Sequence, residues 1–178
     1  MLHTLLIALA TIGSIAAILV FLMSITRRQK RKKMQHLKAE FHALLEQYQL
    51  HPDHSQFFEH RIFGLDSTAG VFVFVQDDEA LPQAVIHLAE VQDCKLWKDG
   101  VEIKHKNGKQ KETSEEYISA IGLSFHRKGG IITNVPVYTE VLDGILEKIP
   151  LHNIAEQWQL RIKNELGQVK SAHREMAG

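Results

Sequence analysis

Changes of hydrophobic pattern divide the chain into segments. No charged residue occurs from Thr4 to Thr26, "TLLIALATIGSIAAILVFLMSIT". Six of the next seven positions are cations: Arg27, Arg28, Lys30, Arg31, Lys32 and Lys33. Between Met34 and Leu50 the apolar residues Met34, Leu37, Phe41, Leu44, Leu45 and Tyr48 share one face at helical spacing. From Phe57 onward the period falls to two. "FFEHRIFGLD", "AGVFVFVQ", "QAVIHLAEV", "CKLWKDG", "EYISAIGLSFHR" and "GGIITNVPVY" read as six strands separated by turn formers. From about Pro150 the helical period returns, with Leu151, Ile154, Ala155, Trp158, Ile162 and Leu166 on one stripe.

These patterns predict an α+β chain with a transmembrane helix at 4–26, a basic stop-transfer segment at 27–33 and an amphipathic juxtamembrane helix at 34–50. An antiparallel β-domain follows at 56–168, capped by its C-terminal amphipathic helix, and a flexible tail closes the chain at 169–178. A run of 23 residues at ~1.5 Å each reaches about 34 Å, enough for a hydrocarbon core of ~30 Å. Only Met1, Leu2 and His3 precede the run and cations follow it directly, which fits an uncleaved anchor better than a signal peptide. The Lys/Arg excess lies on the C-terminal flank, so the N-terminus is expected outside and the domain in the cytoplasm. The same cations face anionic headgroups. The stripe from Met34 to Tyr48 fits packing on a domain or lipid surface. It also fits two heptads of a homodimer seam.

Removing the six cations of the run from 21 Lys/Arg leaves 15 against 21 Asp/Glu in the remainder. An acidic domain does not suit tracking of a phosphate backbone, so no nucleic-acid partner is expected. Cys94 is the one cysteine and forms no intramolecular disulfide.

The sequence holds no phosphate-cradling glycine loop with its lysine, no nucleophile elbow and no paired zinc histidines on a helix. His51, Asp53 and His54 cluster around Pro52 but lack further ligands, and they read as solvated loop residues. Asp77, Asp78 and Glu79 read as an acidic turn, "HRKGG" as a hairpin turn, and His60 as a residue of a partly buried strand. No cofactor, metal or catalytic residue is expected. Two surfaces stand out. One is Trp97 with Lys98, Lys104, Lys106, Lys109 and Lys111, where cations beside an aromatic suit anionic lipid, a stacked nucleotide or an acidic partner. The other is the strand around Pro136 and Tyr138, where a proline fits an edge able to accept a partner strand.

The succession of "FGLDSTAGVFVFV", "IHLAEVQDCKL", "SAIGLSFHRKGGIITNVPVY" and the closing helix "IAEQWQLRIKNEL" with its tryptophan resembles a pleckstrin-homology-like domain. In that family a C-terminal helix plugs a bent antiparallel barrel. The chain also resembles small bacterial membrane-anchored proteins of this kind, which implies a bacterial inner membrane. Phosphoinositide-binding members carry a basic motif in the first strand loop, whereas "DSTAG" here has no cation. The resulting expectation is a single-pass, non-enzymatic interaction or regulatory module that docks a protein partner at the inner membrane. The alternative is a peripheral sensor of anionic lipid acting through the lysine-rich loop around Trp97.

Overall fold

A computed structural model describes the backbone of residues 2–77, 83–105 and 113–175, and the side chains of 21, 23, 24, 27–77, 83–101 and 117–168. The first element, α1 (Leu2–Tyr48), is one helix of 47 residues, where the sequence suggested three segments. Lys, Arg and Gln are good helix formers, and no Pro or Gly lies between residues 26 and 34, so the basic run leaves the helix unbroken. The span expected at 4–26 falls in α1, but its side chains lie outside the described residues apart from Phe21, Met23 and Ser24. Among the described residues no helix is long and apolar enough to cross a membrane.

α1 ends before Pro52, by a Schellman motif. Gln49 is left-handed (φ 53°). Leu50 N–H donates to the Leu45 carbonyl (2.9 Å) and Gln49 N–H to that of Glu46 (3.2 Å), while Leu50 is buried as the accompanying apolar contact.

Seven strands follow, one more than the sequence suggested. β1 (His54–Phe57), β2 (Arg61–Asp66), β3 (Val71–Gln76) and β4 (Gln83–His87) form an antiparallel sheet in that order. A 3-10 turn at Leu88–Glu90 leads to β5 (Val91–His105), β6 (Thr113–Arg127) and β7 (Ile132–Thr139), a second antiparallel sheet in chain order. Because β1 precedes it, "DSTAG" is the second turn. The first loop is Phe58-Glu59-His60, which also lacks Lys and Arg. A short helix α2 (Glu140–Asp143), Gly144 and a 3-10 turn (Ile145–Glu147) lead into α3 (Lys148–Glu175), which continues through residues expected as tail.

Strand β3, "VFVFVQ", is buried on both faces, which explains its unbroken apolar run. Phe72 and Phe74 join Phe63, Leu123, Phe125, Val135 and Trp158 in the core between the two sheets and α3. Val71, Val73 and Val75 face the other way, where Ile62 and the α1 residues Leu37, Phe41 and Leu44 complete a second apolar layer. Leu37, Phe41 and Leu44 of the predicted stripe are thus buried against the first sheet, while Tyr48 is exposed. Gly64 permits this: a Cβ there would lie 2.8 Å from the tip of the Phe41 ring. In β6, Ile121, Leu123 and Phe125 enter the core as their alternation predicts. In β7 a register shift opposite Ile121 and Gly122 interrupts the alternation, and Val137 and Tyr138 are both buried.

Candidate functional surface

One end of the domain is defined by ion pairs to α1. Lys30 Nζ lies 2.8 Å from Glu59 in the β1–β2 loop, and Lys33 Nζ 3.1 Å from Asp77 after β3. The hydrogen bond from Lys30 holds the Glu59 carboxyl below its ordinary pKa. Arg27, Arg28, Arg31 and Lys32 are exposed. Two of the six predicted interface cations therefore fasten the helix to the domain, and four remain on its surface.

Arg61 opens β2 at this same end, paired with Gln76 across the sheet. Its side chain is fully buried and crosses to the second sheet, where one guanidinium nitrogen donates to the Val137 carbonyl. The other meets Asp143 Oδ2 at 2.8 Å, with the carboxylate side chain 7% exposed. The same oxygen accepts the N–H of Thr139 at 2.8 Å. The bulge in β7 takes Val137 out of the ladder with β6, and Arg61 supplies its carbonyl with a donor. Sequence reasoning missed this pair. Its members are 82 residues apart, and only the arginine's place in an otherwise apolar strand, "RIFGLD", signals burial.

The corner beyond Asp143 was also missed. Val141 is 95% exposed, Ile145 63%, Leu146 88% and Ile149 73%. Their spacing in "EVLDGILEKIP", i, i+4, i+5 and i+8, would fit one helical face, but Gly144, at φ 75°, breaks the chain direction. A cluster of large apolar side chains in solvent signals an interaction surface. Nearby, exposed Tyr117 of β6 donates its hydroxyl to Glu140.

Of the residues expected around Trp97, the side chains of Trp97 and Lys98 are described. Trp97 lies opposite Gly122 in the β5–β6 register. A Cβ at Gly122 would come within 2.5 Å of the indole nitrogen and 2.3 Å of the Val135 carbonyl oxygen. The ring packs onto bare backbone and is half-buried rather than free to stack on a ligand. Lys98 is exposed. Lys104 belongs to the backbone of β5 with its side chain outside the described residues, and Lys106, Lys109 and Lys111 lie outside them altogether. On β7, which among the described strands pairs only with β6, Pro136 is half-buried. Tyr138 is fully buried and belongs to the core, not to a contact surface.

Ser124 and His126 approach at 3.4 Å on the outer face of the second sheet. Asp93, opposite His126 in register, lies 3.8 Å from the Lys95 ammonium, and no described carboxylate hydrogen-bonds to the His126 ring. Asp53 accepts from Ser67 N–H and Oγ (2.8 and 2.9 Å), so it fastens a turn. His51 N–H donates to Asp66 at 2.6 Å. Among the described residues no group of three His, Cys, Asp or Glu is placed to hold a metal. A groove of about 710 Å³ beside the end of α1 is lined by His42, Leu45, Glu46 and Gln49.

Cys94 is fully buried, and burial, followed by the charge of Asp93, pushes its thiol up to about 12. The folded protein is therefore expected to resist maleimide at pH 8 and to react once unfolded in urea, measured by intact-mass labelling. The unfolded thiol ionises near its ordinary value of 9.0 and the folded one only near 12, so this group's contribution to stability falls as pH rises from 9 to 12. Rapid labelling of native protein would refute the burial.

No protein-family model matches the chain, and comparison with curated proteins and with solved structures returns no significant match.

Proposed function

We propose that the chain is a single-pass membrane protein whose domain, of pleckstrin-homology-like type, is a non-enzymatic interaction or regulatory module docking a protein partner at the cytoplasmic face of a bacterial inner membrane. The observation that carries the reading is the unbroken α1, which runs from the charge-free segment through the cations and onto the first sheet. Such a helix holds its domain at the membrane surface: Lys30 is four residues from Thr26, about 6 Å along a helix. The cation excess on the domain side supports a cytoplasmic orientation for that side. Four strands, three strands and a closing helix support the pleckstrin-homology-like reading. The partner edge is the outer side of β7 around exposed Asn134 and half-buried Pro136, where a bound strand finds backbone groups not used by β6.

Protease treatment of intact spheroplasts and of inverted vesicles tests the topology. The domain is expected to be protected in spheroplasts and digested in inverted vesicles. Its release into the soluble fraction without a protease, or digestion in spheroplasts, would refute the arrangement. Crosslinking in intact membranes through a photoreactive residue at Asn134 then reads the partner. Crosslinks no more specific than those from exposed Lys128 would reject the β7 edge.

A further inference from the structure

We propose that the corner formed by Val141, Ile145, Leu146 and Ile149 is a second membrane contact, an apolar foot that enters the headgroup–acyl boundary of the bilayer holding α1. This rests on the proposed span and deepens the lipid-contacting alternative by moving the contact from the lysines to this corner. Position is the first support. Lys33 meets Asp77, which directly follows Gln76, the cross-strand partner of Arg61. Arg61 in turn holds Val137 and Asp143. These links put the corner at the end of the domain toward which α1 runs N-terminally. Seven residues separate Lys33 from Thr26, about 10 Å of helix, so this end lies within two helical turns of the charge-free run.

Chemistry is the second support. Four large apolar side chains exposed within nine residues give the composition of an interfacial insertion, with Lys148 beside them to meet headgroup phosphates. Glu140 and Glu147 flank the same corner, so attraction to anionic lipid is a poor driver and apolar insertion carries the contact. Because α1 already tethers the domain, the contact forms within one molecule, at a high effective concentration that lets a weak foot remain docked. A soluble partner on this corner would have to approach between the domain and the bilayer.

The test uses the full chain in liposomes, with an environment-sensitive fluorophore on one introduced cysteine, Cys94 being buried. Leu146→Cys reports the foot and Phe21→Cys the span. Ile132→Cys reports the opposite end, since Ile132 is exposed near the Arg127–Ile131 turn, and Lys128 of that turn bonds to Glu90. A quencher carried on the acyl chains is expected to quench the labels at 146 and 21 but not at 132, in zwitterionic as in anionic lipid. Adding Ile145→Glu and Ile149→Glu to the Leu146→Cys protein is expected to reduce the docked-to-free ratio of the foot about tenfold or more, leaving the label at 21 unchanged. Quenching at 21 without quenching at 146 would overturn the foot and leave the span intact. An aqueous label at 21 would overturn both. Quenching at 146 that requires anionic lipid would overturn apolar insertion as the cause.

Discussion

Replacing Asp143 by alanine is expected to destabilise the domain by about 3–5 kcal/mol, because it takes the Asp143 carboxylate away from a fully buried guanidinium. For a domain of this size that is a fall in the thermal midpoint of about 10 °C or more. The effect has two sources. Thr139 loses the acceptor for its N–H, and Arg61, which enters the protein interior to reach Val137, keeps its charge there. Asp143→Asn retains an acceptor oxygen and is expected to lose less. An Arg61→Met, Asp143→Leu double variant removes both charges together and should recover part of the loss, though not all, since the Val137 carbonyl and Thr139 N–H remain unserved. Thermal denaturation followed by tryptophan fluorescence reads all three. A loss below about 1 kcal/mol in Asp143→Ala would show that water reaches Arg61 and that the pair is not the clamp described.

The second large effect is expected at Trp158. Its ring meets Phe63 edge-on at 5.5 Å and Phe72 at 5.7 Å, and its Nε1 donates to Gln56 Oε1 at 2.6 Å. Contacts to three strands of the first sheet thus radiate from one side chain of α3. Trp158→Ala is expected to cost about 3–5 kcal/mol, the range for emptying a large aromatic site. Hydrogen exchange of α3 should accelerate more than that of β2 and β3, which keep their ladder and the α1 layer. Trp158→Phe retains most of the ring contacts and loses the bond to Gln56, at about 1–2 kcal/mol. If the alanine variant were no worse than the phenylalanine one, Trp158 would not be what fastens the helix.

The stripe of α3 and the alternation of β6 were legible because each element has one buried face, and burial of one face imposes its period on the sequence. β3 announced itself differently, as a continuous apolar run, because α1 covers the face that solvent would otherwise meet. β1 was illegible. "HSQF" is short, polar and mostly exposed, and it is a strand through its pairing with β2 rather than through any preference of its own. The continuity of α1 was hidden by a change of composition, since cations change what surrounds a helix without ending it. Tyr138 was misplaced because a bulge shifts the inward face of β7 by one residue, which strand alternation cannot reveal. Arg61 and Asp143 depend on chain segments that meet only after folding. The corner at 141–149 left a signal, large apolar residues at helical spacing on both sides of a glycine, but such a stripe reads as the buried face of a helix until the break at Gly144 and the exposure are seen.

The layer that α1 lays on the first sheet also decides where the domain can be cut. A protease acting between Arg27 and Lys33 would leave Leu37, Phe41, Leu44 and Leu50 in place over Ile62, Val71, Val73 and Val75, and the C-terminal fragment would be a finished, covered protein. A cut near residue 50 would instead strip that valine-rich face bare, and an uncovered apolar sheet seeks another copy of itself. The basic run is therefore a safe severing point for this chain, and the end of α1 is not.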